Sequence, residues 1–406
     1  MHIRSSNHQH WSSEQAATLL GQSRQLAPLF QEYAEKNEVD GKIHANVVSA
    51  LEKENLFGLF AAQAVGGADL RPSDAIQVIE NVAYADAATS WVLFATGLAI
   101  GAAAALLPDD AVHEIFSDGV PIIGGQGIPN GRAVVESGGY RLSGHWNYGS
   151  GTLHSSYIHT GAIVYDGNNP RLDAAGAPEV RIFHVPRSEV ETLGNWDVLG
   201  LRATGSVDYA ISDVFVPEEF TYFARTTHPL RGSNTFRMGS IGVGAAGHTA
   251  FALGVGRRVL DELATFAQAR VGRPGLLGES ESFLEKFASA EARYRSARAL
   301  VYETWHATEA TLERGDALNT REITLIRLAL NHATWTVADI CNFSYNVAGG
   351  VSLRNGVIQR YFRDMHAGTQ HVTSSPTMLR ECGRDLAGVA PGKKWNFFGL
   401  MDNVAT

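Results

Sequence analysis

The sequence is short of cysteine. Two thiols, Cys341 and Cys382, serve 406 residues, and neither sits in a CxxC pair. This excludes a disulfide scaffold and fits a reduced, cytoplasmic compartment. Basic residues are scarce as well: 33 Lys and Arg stand against 42 Asp and Glu, for a formal net charge of -9. A surface of that sign does not draw in nucleic acid or anionic lipid. The opening "MHIRSSNHQHW" lacks the apolar core of a signal peptide, and its His2, His8 and His10 read as a frayed terminus. One uncharged run is long, "WVLFATGLAIGAAAALL" from Trp91 to Leu107. Acids (Asp86, Asp109, Asp110) flank it where a membrane span carries Lys or Arg, so it reads as a buried helix. A metal cluster is missing too. His366 and His371 stand five apart, about 140° around a helix, whereas ligands on one face sit three or four apart.

What is present falls into three zones. Residues 1–120 carry helical patterns, as in "SSEQAATLLGQSRQLAPLFQEYAEK" and "SDAIQVIENVAYADAATSWVLF", with apolar residues three and four apart. Residues 121–228 change to short β-rich runs ("YRLSGHWNYGS", "SYIHTGAIVYD", "VRIFHVP", "VDYAISDVFVP") separated by turn residues. Residues 229–406 return to long amphipathic helices, as in a bundle. Strands segregated from helices predict an α+β chain without parallel βαβ units.

Several motifs carry chemistry on one reading and only packing on another. "GVGAAG" (Gly242, Gly244, Gly247) matches a dinucleotide fingerprint, but no hydrophobic strand precedes it. Its glycines read better as small residues that let a helix approach a neighbour. "GHWNYGSGTLH" lacks the spacing of a nucleophile elbow. Its Ser150 either offers a hydroxyl to a planar ligand, with Trp146 and Tyr148 as aromatic surface, or is a turn serine. "GLRATGS" sets Arg202 and Thr204 at a polar turn able to hold phosphate or polarise a carbonyl. In "IQRYFRDMH", Arg360 and Asp364 are placed to pair on one helix face with Arg363 alongside, as an ion-pair network or an anion clamp.

In order, these pieces resemble the acyl-CoA dehydrogenase superfamily over nearly the whole chain. The segments that carry the likeness are "SGHWNYGSG", "GLRATGS…DVFVP" and "AGGVSLRNGVIQRYFRD". The resemblance implies an N-terminal helical domain, a middle antiparallel β-barrel or sandwich and a C-terminal four-helix bundle. It also exposes a gap. A dehydrogenase needs a carboxylate base at one of two places, and here neither "MHAGTQHVTSSPTMLR" nor "MGSIGVGAAGHTAFALGVGRRVL" contains an acid. His371 stands there instead, and "RDMHAG…H" resembles the oxygenase components of two-component flavin monooxygenases built on this fold. Several members place a second histidine after a tryptophan like Trp91, where this chain has Ala99.

That resemblance implies reduced flavin (FMNH2 or FADH2) made by a separate NAD(P)H-dependent flavin reductase. It implies O2 activation as a C4a-hydroperoxyflavin, no metal, and hydroxylation of a small aromatic or heteroaromatic substrate of phenol, indole or thiophene type. His371 and Ser150 become the catalytic candidates. Trp146, Ser150, Arg202, Thr204, Arg270 and Arg363 become cofactor contacts, the last two arginines across subunits of a homotetramer. Trp91, Phe94 and Tyr345 are candidates for the substrate pocket, and "KKWNFFGLM" for a tail docked on a neighbouring subunit. An acyl-CoA dehydrogenase with an unrecognised base, or a non-catalytic flavin-binding protein, are the competing expectations.

Overall fold

The computed structural model describes residues 13–174, 176–269 and 277–402. The first helices are α1 (Ser13–Asp40), α2 (Ala45–Lys53), α3 (Pro72–Ala85), α4 (Ala87–Leu106) and α5 (Asp109–Ile115). Asp86 starts α4, accepting the Thr89 N–H at 3.0 Å and the Thr89 hydroxyl at 2.6 Å. Such caps are worth about 1 kcal/mol. The uncharged run is the body of α4, and 89% of its most apolar window is buried. A second helical stretch, Asn234–Gln268, passes the same length and composition test for a membrane span and is 78% buried over its window. Both are core helices, as expected of α4.

The middle strands are β1 (Ile123–Glu136), β2 (Gly139–Trp146), β3 (Tyr157–Asp166), β4 (Asn169–Pro170), β5 (Val180–Pro186), β6 (Glu191–Thr192), β7 (Tyr209–Pro217) and β8 (Thr221–Phe223). They form one sheet in the order β6-β7-β2-β1-β3-β5-β8, with β4 beside β3. All pairings are antiparallel except β1–β3, which runs parallel across a bulge between Gln126 and Gly131. β2 returns the chain to the starting end of β1, so β3 joins it without a crossover helix.

The C-terminal helices are α6 (Gly239–Gln268), α7 (Glu281–Glu313), α8 (Thr320–Ala348), α9 (Val357–Thr369) and α10 (Pro376–Leu386). A capping box between Asn319 and Glu322 opens α8. The glycines of α6 do what small residues are expected to do. A Cβ on Gly247 would lie 2.5 Å from the Phe94 Cβ, and one on Gly254 would lie 2.3 Å from the Glu80 carbonyl oxygen. α6 therefore lies flush against α4 and α3.

The tail packs against its own chain. It forms a hairpin of β9 (Lys394–Asn396) and β10 (Gly399–Met401) on its own chain. Trp395 is buried with Met378, Cys382 and Leu400, its indole N–H donates to the Thr324 hydroxyl at 2.9 Å, and Arg327 covers its ring at 4.0 Å. The aromatics that looked too exposed for a free tail find their partners on α8 and α10.

Candidate active site

Three segments meet at one point. α4 brings Trp91 and Phe94, three residues apart and so on one face, and α6 brings His248 and Phe251 at the same spacing. The turn after α9 brings His371 and Thr373. Trp91 is the hub: its ring centroid lies 4.9 Å from Phe94, 5.2 Å from His248, 5.0 Å from Phe251 and 6.0 Å from His371. The two imidazoles are 5.1 Å apart and nearly perpendicular. Both turn Nδ1 toward the Thr373 hydroxyl, His371 at 2.7 Å and His248 at 3.2 Å. His248 is buried, while His371 is exposed.

Trp91 also ties this cluster to a chain of hydroxyls. Its indole N–H donates to Ser150 Oγ at 3.2 Å. Ser150 Oγ lies 2.8 Å from Ser206 Oγ, which lies 2.8 Å from Thr204 Oγ1, and Thr204 donates to the Leu201 carbonyl at 2.8 Å. Each hydroxyl has one proton, so the direction is fixed from the carbonyl end. Thr204 spends its proton on Leu201, Ser206 spends its own on Thr204, and Ser150 must then donate to Ser206. Ser150 Oγ is left with one lone pair, which suits an N–H donor. The backbone around it is tightly built. Gly151 has φ +75°, and a Cβ there would lie 2.3 Å from Thr96 Cγ2 of α4. Tyr148 also takes a left-handed φ of 65°, uncommon outside glycine, and remains 67% exposed with its ring centroid 6.3 Å from that of Trp196. A strained, exposed aromatic two residues before a buried hydroxyl is the kind of feature that sites retain.

The electrostatics separate this place from a dehydrogenase site. Burial holds the His248 imidazole well below 6.5, and the neighbouring His371 pushes it the same way. Dense surroundings alone lower His371, yet its ring stays open to solvent. An open ring amid dense protein lies on the wall of a cleft. Among the described residues, no carboxylate contributes to the shift of either imidazole.

The sequence candidates distribute unevenly. Ser150, Thr204, Trp91, Phe94 and His371 come together. Arg202 lies exposed at the turn that carries Thr204. Trp146 is a correction: it is wholly buried in the sheet, stacked on Tyr209 at 5.4 Å, with its N–H on the Gly161 carbonyl. It fills space left by Gly131 and Gly144, where a Cβ would lie 2.4 and 2.6 Å from its ring. Tyr345 is a second correction, since it belongs to a separate stack with Phe362 (4.4 Å) and His366. His366 bonds the Phe362 carbonyl at 2.7 Å, a packing role.

Arg363 is held by its own chain, paired with Glu38 and donating to the Leu199 carbonyl at 3.1 Å. Arg360 and Asp364 do not form the expected pair. Asp364 instead accepts the Leu201 N–H at 2.6 Å, and burial raises its carboxyl to about 7. These residues brace α9 against α1 and the Gly200 turn rather than presenting a free clamp. Arg270 and the N-terminal histidines lie outside the described residues. The functional residue missed from sequence is His248. It stood within the very segment searched for an acid, and a lone imidazole on a Gly/Ala helix face was the available signal.

Two family models match the chain: the N-terminal domain of acyl-CoA dehydrogenase over residues 22–108 and its C-terminal domain over 246–376. Indole-3-acetate monooxygenase from Pseudomonas putida is 28% identical over 354 residues, covering 86% of this chain and 88% of that protein. The oxygenase subunit HsaA of a flavin-dependent monooxygenase from Mycobacterium tuberculosis is 26% identical, covering 93% and 97%. This chain is a flavin-dependent monooxygenase oxygenase component of the acyl-CoA dehydrogenase superfamily. Solved structures agree on the fold. The HsaA monooxygenase of M. tuberculosis superimposes with a TM-score of 0.84 at 23% identity, covering 92% of this chain and 97% of that one. XiaF from Streptomyces sp., in complex with FADH2 and glycerol, gives 0.83 at 23% identity, covering 93% and 97%.

Proposed function

We propose that this oxygenase takes reduced flavin from a separate NAD(P)H-dependent reductase and, through a C4a-hydroperoxyflavin, hydroxylates a small aromatic or heteroaromatic molecule. The observation that carries the reading is the Trp91–Phe94–Phe251 cage around two imidazoles, with no carboxylate among the described residues acting on either. A proton-abstracting dehydrogenase would need an acid there. An oxygen-transferring enzyme needs an apolar, water-poor chamber and a group that manages protons.

The residues fit a flavin. Ser150 Oγ, with its one free lone pair, would accept from the N–H at the ring's N5 edge, and the close-packed Gly149–Gly151 backbone admits a planar group. Arg202, exposed beside Thr204, is the described cation still open to the phosphate end. When bound, the reduced flavin supplies the electrons that activate O2. Trp91 and Phe94 exclude water and present apolar surface to a ring substrate. Trp91 also orients Ser150. His371, open to the cleft, holds the proton offered to the reacting oxygen. Indole-3-acetate is the first substrate to try, because the Pseudomonas relative is named for it and the cage suits a flat bicycle. A homotetramer in which neighbouring subunits complete the flavin site is part of the proposal, with Arg270 as a contact.

The test is a product assay with indole-3-acetate, a phenol and a thiophene, supplying reduced flavin from a generic reductase under isotopically labelled O2. One labelled oxygen atom in the product of at least one substrate is expected. Consumption of reduced flavin with only hydrogen peroxide formed, for every ring class, would contradict the reading.

A further inference from the structure

His248, Thr373 and His371 form a relay whose polarity can be read from its atoms. His371 caps the short turn that follows α9, and its Nδ1 accepts the backbone N–H of Thr373 at 3.4 Å. An Nδ1 that accepts there carries no proton, so the Thr373 hydroxyl, 2.7 Å away, must be the donor to it. Having spent its proton, the hydroxyl can only accept from His248 Nδ1 at 3.2 Å. His248 is thereby protonated at Nδ1, and its Nε2, buried, has no hydrogen-bond partner among the described residues. The Gly368 carbonyl also favours a proton on the His248 ring, without distinguishing its two nitrogens.

We infer that His248 and Thr373 are positioning residues that lock neutral His371 with its proton on Nε2, so that it meets the cleft as a hydrogen-bond donor. The Nδ1 side of His371 is consumed by the relay, so Nε2 is the ring nitrogen left to meet a partner outside it. A donor of this kind would hydrogen-bond the reacting oxygen, and in its resting form it cannot act as a base. The relay also explains how a chain with Ala99 at the usual second-histidine place still sets its proton donor: the second imidazole arrives from α6. This deepens the proposed function and borrows from it only the identity of the oxygen that His371 meets. The tautomers themselves stand on the geometry of the protein without flavin.

The experiment is solid-state NMR of the full-length protein with ring-labelled histidine, assigned by loss of signal in His248→Gln and His371→Gln. His371 is expected with unprotonated Nδ1 and protonated Nε2, and His248 with the opposite pattern. In Thr373→Val both resonances should lose their single-tautomer positions, and Thr373→Ser should restore them. A proton on His248 Nε2 and on His371 Nδ1 in the unmodified protein, the arrangement in which His248 turns to Gly368 instead, would overturn the inference. Unchanged tautomers in Thr373→Val would overturn it as well. Neither result depends on turnover, so failure here is distinct from failure of the monooxygenase reading. A correct relay with no product from any ring substrate would retire the function and leave the relay standing.

Discussion

Among the described residues two close pairs of histidines share proximity and a burial-driven shift but differ in linkage and access. His159 and His184 face each other across β3 and β5, with ring centroids 6.3 Å apart. Both are buried, and desolvation drives them to about 4 and about 3. Among the described residues no hydroxyl bridges them; besides burial, the Gly125 carbonyl acts on His159, and His159 and the Phe220 carbonyl act on His184. The pair formed by His248 and His371 shares a hydroxyl, touches an aromatic hub and keeps one ring open. A depressed imidazole is therefore poor evidence of a site by itself. Linkage and access distinguish the working pair from the structural one.

That distinction can be broken in graded ways. The largest effect should come from His371→Gln, which is expected to lower the yield of hydroxylated product per reduced flavin by about 100-fold, the low end for loss of a proton-transfer group. Product quantified against peroxide reads this directly. Asp364 tests whether a buried, shifted group can matter to stability alone. Its folded value near 7 lies above the unfolded 3.8. The folded state thus keeps its proton while the unfolded chain loses it, and stability falls as pH rises from about 4 to 7. Asp364→Asn removes that slope and still accepts from Leu201. Relative to the parent, it should gain roughly 3 kcal/mol in urea unfolding between pH 5 and pH 8. Trp91→Phe keeps the aromatic hub but deletes the N–H donor to Ser150, for an expected loss of about tenfold in product formation, near the worth of one hydrogen bond. The smallest effect belongs to the sheet pair. His184→Gln should stay within about twofold in activity at pH 7, since a buried group far from the reacting atoms acts through stability. It should also flatten the acid side of the stability profile. There the parent loses stability as pH falls below 6.5, because the unfolded imidazole takes a proton that the folded one refuses.

The same contrast shows what the chain's letters reveal. Ser150, Thr204 and His371 are legible because each lies in a contiguous motif whose local spacing carries the signal. The burial of α4 is legible because no charge interrupts it. His248 is not, because its partner Thr373 lies 125 residues away and only the packing of α6 against α9 makes the pair. Trp146 and Tyr345 mislead for a related reason. An aromatic in a flavin-like segment advertises a ring, but which face of the sheet receives it depends on holes such as those at Gly131 and Gly144. The parallel β1–β3 pairing is hidden likewise, since a hairpin between parallel strands leaves no helical crossover to read. Arg363 shows the limit for charge. Its sequence neighbours suggest a clamp, and Glu38 from α1 claims it first.

The most direct test mixes chemically reduced flavin and the protein with oxygenated buffer in a stopped-flow instrument. A transient flavin–oxygen adduct absorbance, preceding reoxidation and shortened in His371→Ala and Ser150→Ala but not in His184→Gln, is the predicted result. Reoxidation at the rate of free flavin, with no transient, would contradict the account.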